Sequence, residues 1–257
     1  YGELDANGEI LGDSQRSLYY SRYKRVVAGL NSYWMSEPLR TAFINENSLN
    51  GEGGDSAFRY GMTFRYKNQQ GVMKDSDREN IDGTINLSYR VARFNLSNQN
   101  NVSYTQAERA KVAFSKFSRM NPYMPKYDEY GEINKVISEY YDSSAWAQQY
   151  VYNPLWDFNQ KSFNTSNNLM LRNNLMLEVR PIDELRLQAR LGLTIDKSEV
   201  EAFVSPFATQ FINTESMKRG SFNRTSGTAS SLDGSLLASY GKVIGVHTIN
   251  AVAGIQL

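Results

Sequence analysis

The densest set of side chains able to grip another molecule lies between positions 106 and 165. It holds Tyr123, Tyr127, Tyr130, Tyr140, Tyr141, Trp146, Tyr150, Tyr152, Trp156 and Phe158. Aromatic faces stack on sugar rings and anchor protein partners, and Tyr and Trp are favoured at binding hot spots. The same rings also pack a long ordered loop against itself, and anchors are few at any interface. Tyr123, Tyr127, Tyr130, Trp146 and Trp156 stand out as candidates for substrate or partner contact. Pro122, Pro125 and Pro154 restrict the backbone around them, which lowers the entropy lost on docking.

Other chemistries find little support. There is no cysteine and one histidine, so thiolate metal sites, disulfides and histidine clusters are excluded. "DEYGE" and "KDSDREN" offer carboxylates but lack the spacing of an EF-hand loop. Gly51, Gly53 and Gly54 suit turn geometry, because a phosphate cradle needs a following helix. His247 opens a strand and reads as structural. No acid–base pair, activated nucleophile, metal site or cofactor box emerges, so an enzyme is not expected. A net charge of +1 gives no reason to expect nucleic acid.

The elements that must position the aromatic loop are strands. In "AFRYGMTFRYK" the even positions Phe58, Tyr60, Met62, Phe64 and Tyr66 are large and apolar, while Arg59, Gly61, Thr63, Arg65 and Lys67 alternate with them. This is period two, with one apolar and one wet face. It recurs in "IDGTINLSYRV", in "LMLRNNLMLEV" with Asn173 as the exception, and in "ELRLQARLGLTID". "RFNLSNQNNVSYT" is weaker, because Asn98 and Asn100 share a face with Phe94, Leu96, Val102 and Tyr104. "FINENSLNG", "LDGSLLASY" and "HTINAVAGIQ" complete about eight strands.

Connection lengths alternate. The turns at 51–55, near Ala92, at 180–184 and at 241–245 are tight. The links at 67–80, 106–165 and 197–231 are longer, and the second spans roughly sixty residues, far beyond a hairpin's need. Successive hairpins would put every short turn at one end and every long loop at the other. Outer-membrane barrels sort their connections in this way, and a Greek-key sandwich has no reason to.

The apolar rows carry no Lys, Arg, Asp or Glu in their interiors. Phe58, Tyr89, Phe94 and Tyr240 sit near the short-turn end, and Tyr66 and Tyr104 near the long-loop end, as interfacial girdles do. A soluble antiparallel sheet also keeps charge off its buried face, so a secreted carbohydrate-binding sandwich is the alternative. The arginines of the wet rows (59, 65, 90, 172, 186 and 190) suit a water-filled lumen or a solvated face. A mean hydropathy of −0.54 does not decide, because half of every barrel strand is polar. No run of about 18 apolar residues provides a membrane-spanning helix. The stretch begins "YGELDANGEI", without an initiator Met or an apolar signal core, and is expected to be a piece of a longer chain.

The order of several motifs resembles the start of the barrel in SusC/RagA-type TonB-dependent transporters. The Trp34 segment resembles that family's Asn-Thr-Asp-Trp stretch, with Ser32 and Tyr33 in place of Thr-Asp. "LNGEGGDSAFRY" resembles its first hairpin and "KNQQGVMKDSD" its next loop. "NPYMPKYDEYGE" and "NPLWDF" resemble two Asn-Pro elements of one long loop. The resemblance runs from about Asn31 onward. It implies an all-β, antiparallel up-and-down transmembrane barrel segment, roughly the first third of a 22-stranded barrel. Residues 1–40 would be an extracellular loop or lead into the barrel, and 41–257 would be partial barrel with extracellular loops at 106–165 and 197–231. The plug and the segment that engages TonB are not visible here. The resemblance further implies a bacterial outer-membrane location, no cofactor, and import of oligosaccharide or peptide. The implied partners are a SusD-like surface lipoprotein acting as a lid, the TonB complex and the lipid bilayer. The five aromatic candidates would then touch substrate or lid.

Overall fold

Period-two sequence becomes one continuous sheet. The structure is a computed structural model that describes residues 13–142 and 147–257. Its long strands are β1 (Ile44–Gly54), β2 (Phe58–Gln69), β3 (Arg78–Val91), β4 (Phe94–Glu108), β7 (Phe163–Ile182), β8 (Leu185–Val204), β9 (Ser221–Ile244) and β10 (His247–Gln256). They form an eight-stranded sheet in chain order, and every pairing is antiparallel. The shorter β5 (Val136–Asp142) and β6 (Ala147–Tyr152) make a separate hairpin. Three helices join them: α1 (Asp13–Val27), α2 (Phe114–Ser118) and α3 (Pro154–Phe158).

The meander places residues 70–77, 109–162 and 205–220 at one end of the sheet. The turns at 55–57, 92–93, 183–184 and 245–246 lie at the other. The first turn shows how tightly that end is made. Gly54 has φ +135°, and a Cβ there would collide with the Phe58 carbonyl. Asp55 then accepts hydrogen bonds from the Ala57 and Phe58 amides, each at 2.7 Å. Those amide bonds hold its carboxyl below the ordinary range, the Phe58 bond contributing most.

The register aligns the apolar rows across the sheet. Tyr66, Ile81, Tyr104, Leu169 and Lys197 are successive partners near the long-loop end. Phe58 pairs with Tyr89, and Phe94 with Val179, near the short-turn end. On β8 the apolar row runs from Leu185 to Ile195, ten residues apart. At about 3.3 Å per residue and a tilt of about 40°, this is a band ~25 Å tall, the height of the apolar band of outer-membrane barrels.

This face is uncovered. Leu191, in the middle of the β8 row, is 46 % exposed, and Leu49, Met62, Phe64 and Leu232 on other strands of the sheet are exposed too. Among the described residues no second sheet lies over it. The hydrophobic core sits instead beyond the long-loop end, around Trp34, Val112, Phe117, Met124 and Leu155. A soluble sandwich would invert that distribution, placing its core between sheets. An apolar face this extensive must meet something other than water.

Several boundaries differ from the sequence expectation. The loop expected at 197–231 is only 205–220, because β8 continues to Val204 and β9 begins at Ser221. Above the apolar band the outward row turns polar, through Lys197, Glu199 and Glu201 on β8 and Arg224, Ser226 and Thr228 on β9. On β8 the apolar residues there, Val200, Ala202 and Val204, fall in the opposite row, so the apolar row of the band does not continue while the ladder does. Arg224 bridges Glu199 and Glu201 along it. The loop expected at 106–165 is 109–162, with β5, β6, α2 and α3 inside it. Residues 51–54, expected as a turn, are the end of β1. Within 1–40, expected as an extracellular loop or barrel-entry segment, α1 forms a helix closed by Gly29 at φ +70°.

Candidate functional site: the cap at the long-loop end

Three segments distant in sequence meet at the long-loop end. Residues 31–43 approach β1, residues 109–162 join β4 to β7, and residues 205–220 join β8 to β9. Trp34 is the pivot. Its ring is 2 % exposed in the core, and its Nε1 donates to the Asn121 carbonyl at 3.2 Å. The Ser32 amide donates to the Pro122 carbonyl, and Lys126 Nζ donates to the Tyr33 carbonyl and to Glu37. Phe117 stands edge-on to Phe158, with ring centroids 6.1 Å apart.

Asn153 organises the second half of the long loop. It caps α3 by accepting from the Leu155 amide at 3.0 Å, and Pro154 follows at the position where a missing N–H does no harm. Its Nδ2 donates to the Lys126 carbonyl, tying α3 to the Asn-Pro-Tyr stretch. α3 then fastens residues 205–220. Asp157 accepts from the Thr209 amide at 2.7 Å and from its hydroxyl at 2.5 Å, and Trp156 Nε1 donates to the Phe207 carbonyl at 3.0 Å. The two loops are therefore one bonded unit.

The sequence candidates divide within this cap. Tyr123 packs against the core. Trp156 spends its N–H on Phe207 while Lys135 Nζ lies 6.0 Å from its ring. Trp146 lies outside the described residues. Tyr127 is 46 % exposed and Tyr130 89 %. Tyr130 is held at a rigid tip. Asp128 accepts from the Tyr130 and Glu132 amides and from Asn134 Nδ2, while Gly131 turns the chain at φ +82°. The Glu132 amide bond, foremost, keeps the Asp128 carboxyl below its ordinary range. The "DEYGE" carboxylate is thus occupied by backbone. Among the described residues no group of three or more His, Cys, Asp or Glu is placed to hold a metal ion.

The structure adds participants the sequence reading passed over. Asp157 and Thr209 join the loops, and Phe207 and Met217 stand exposed on residues 205–220. Asn-Pro at 153–154 was a legible helix start, whereas the Asp157–Thr209 contact has no signal in sequence.

No family model matches the chain, and no curated protein does. Solved structures do. The RagAB peptide importer in its closed-closed state superposes with a TM-score of 0.69 at 16 % identity, covering 88 % of this chain and 25 % of that one. A structure described as the RagAB peptide transporter gives 0.67 at 17 % identity, with 87 % and 25 % covered. The open-open state of the importer gives 0.64 at 19 % identity and the same coverage. The likeness is one of fold, and this chain spans about a quarter of the chains it matches.

The face of the sheet opposite the apolar rows is mostly hydrophilic, with Met170, Met176, Val200 and Leu237 among its polar side chains. Arg65 lies between Glu46 and Asp82, and Lys67 also reaches Glu46. Glu178, nearly buried, accepts from Arg186 at 2.6 Å and Arg180 at 3.1 Å. Asn80 bonds Thr105, Asn101 bonds Thr84, and Asn168 bonds Asp196 across strands. Such a wall suits water and polar molecules. No helix among the described residues is long and apolar enough to cross a membrane.

Proposed function

We propose that this chain is part of the barrel wall of a SusC/RagA-type TonB-dependent importer in a bacterial outer membrane. The apolar rows face lipid, the hydrophilic face lines the interior, and the cap lies outside the cell. The observation that carries the reading is the uncovered apolar face, a band ~25 Å tall, joined to strict sorting of long and short connections. The fold likeness to the RagAB importer supports it. The cargo is oligosaccharide or peptide, captured beneath a SusD-like lipoprotein lid and drawn inward through TonB. Tyr127 and Tyr130 are the aromatic contacts for lid or substrate, since Tyr123 and Trp156 are engaged within the cap. The role is transport without catalysis.

The test uses the full-length protein. It should fractionate with the outer membrane, need detergent for extraction and migrate faster on gels when unheated. Tyr130→Ala with Tyr127→Ala should weaken lid affinity or uptake while leaving that fast migration unchanged. Recovery in the soluble fraction without detergent would refute the reading and revive the secreted sandwich.

A further inference from the structure

The apolar face is not filled evenly. On β2 its row is Phe58, Tyr60, Met62, Phe64 and Tyr66, all large. On β8, β9 and β10 it dips at Ala189, Gly234, Ala238 and Ala253. Two adjoining hollows lie there, of about 620 and 360 Å³, and they share Leu177, Ala189, Leu236 and Ile255. Together they make one furrow, from the level of Leu187 and Ala238 to that of Leu191 and Gly234. Leu185 pairs with Tyr240 at the short-turn edge of the band, six residues from Leu191. From that edge the furrow extends about 20 Å along the strand, or ~15 Å along the membrane normal at a tilt of ~40°. That is half of a hydrocarbon core about 30 Å thick, the depth of one leaflet.

The mouth of the furrow is charged. Lys242 stands two residues past Tyr240 in the outward row of β9, opposite Ile249. Its Nζ lies 3.6 Å from Glu184 Oε1 in the turn between β7 and β8. His247 lies in the outward row of β10, two residues from Ile249. Among the described strands, no other outward row carries Lys, Arg, Asp or Glu at the short-turn end. A partly exposed pair at this separation holds its partners loosely, so both charges are free to exchange onto a ligand.

We propose that the furrow binds one phospholipid of the periplasmic leaflet with an ethanolamine headgroup. Its acyl chain lies along Ala238, Ala189 and Gly234, its phosphate on Lys242 and its ammonium on Glu184. The proposal rests on the outer-membrane reading above. Three features select this occupant. The furrow is as deep as one leaflet, whereas a spanning helix or strand would need the whole band. The mouth presents one cation and one anion side by side, the complement of a phosphate and an ammonium. An anionic glycerol headgroup would set no cation against Glu184, and a choline headgroup has no N–H to donate to it. Tyr240 lies between mouth and furrow, at the depth of the acyl ester carbonyls. There its hydroxyl finds an acceptor while its ring stays in hydrocarbon.

The experiment uses the full-length protein in phosphatidylcholine vesicles. They contain a small fraction of phosphatidylethanolamine with a photoreactive diazirine at mid-chain. After irradiation, peptide mass spectrometry should place the adducts on β8, β9 and β10 rather than on β2. Unlabelled phosphatidylethanolamine should displace the probe about threefold to fivefold better than phosphatidylglycerol, the ratio one partly exposed charge pair supports. Glu184→Gln should erase that difference. Ala238→Leu with Ala253→Leu fills the furrow and should reduce the adducts there about fivefold or more, with fast unheated migration confirming that the variant is folded. Adducts spread evenly over β2 and β8 to β10, equal displacement by the two lipids in the parent, or undiminished labelling of the folded, filled variant would each overturn the proposal. The first two of these are read on the parent, so they stand even where the filled variant misfolds. Failure of the outer-membrane reading is distinguishable, because the parent would then leave the membrane fraction altogether.

Discussion

Leu191→Arg probes the depth of the apolar band directly. Leu191 lies six residues above Leu185 on β8, about 20 Å along the strand and ~15 Å along the membrane normal at a tilt of ~40°. In a band ~25 Å tall this is close to the midplane, where an arginine on the lipid face costs about 2–4 kcal/mol. That is roughly 30-fold to nearly a thousandfold in the folding equilibrium. The same change at Thr228, in the outward row of β9 level with Lys197, lies at the edge of the band and should cost about 0–1 kcal/mol. Arg190→Leu, on the hydrophilic face beside Leu191, should be milder than Leu191→Arg. The assay is urea unfolding of the full-length protein in detergent micelles, read by gel migration without heating. Equal costs for Leu191→Arg and Thr228→Arg would refute the depth argument. A severe Arg190→Leu with a mild Leu191→Arg would reverse the faces.

Sidedness is testable by labelling intact cells with a membrane-impermeant thiol reagent: Met217→Cys should react and Val246→Cys should not, and equal labelling would overturn the topology. Trp34→Ala should destabilise the cap by about 3–5 kcal/mol through the cavity it leaves, seen as protease sensitivity in residues 109–162 while unheated migration of the barrel persists. Asp157→Ala removes both bonds to Thr209 and should release residues 205–220, raising amide exchange at Thr209 without affecting Trp34. The Asp128 carboxyl is held below its ordinary value of 3.8 chiefly by the Glu132 amide. Its contribution to the Tyr130 tip is therefore fully present above that value and is lost as pH falls through the lowered one. Amide exchange of Tyr130 and Glu132, corrected for intrinsic rates, should stay flat from neutral pH to about 4 and rise below it, and Asp128→Ala should show the raised rate at every pH.

The sheet was legible because period two is a local property enforced at each residue. Leu185 to Ile195 on β8, and Phe58 to Tyr66 on β2, alternate without a break, and both are strands in the expected register of faces. Legibility failed above the band. Glu199 and Arg224 make the outward row polar there, so the apolar row that marks the strand stops, and the loop was read too long as a result. The cap was half legible. Aromatic density marked residues 106–165, yet which rings are spent on packing depends on partners distant in sequence. Trp156 is engaged by Phe207 and Tyr123 by a core built around Trp34, neither a neighbour in the chain.

The unequal strand lengths have a mechanical consequence. β7, β8 and β9 run for 20, 20 and 24 residues, whereas β1 and β2 have 11 and 12. The rim is therefore a ramp, tall at the back and low at the front. The cap is an awning propped on the tall side and tethered on the low side. Its front tether is stapled: the Lys74 amide holds the Pro38 carbonyl, the Arg40 amide holds Val72, and Arg40 pairs with Asp77. An awning fixed at both edges cannot swing on one hinge. A push on its tip reaches the β2–β3 connection and the β8–β9 connection together, so the front and back of the wall are loaded as one frame.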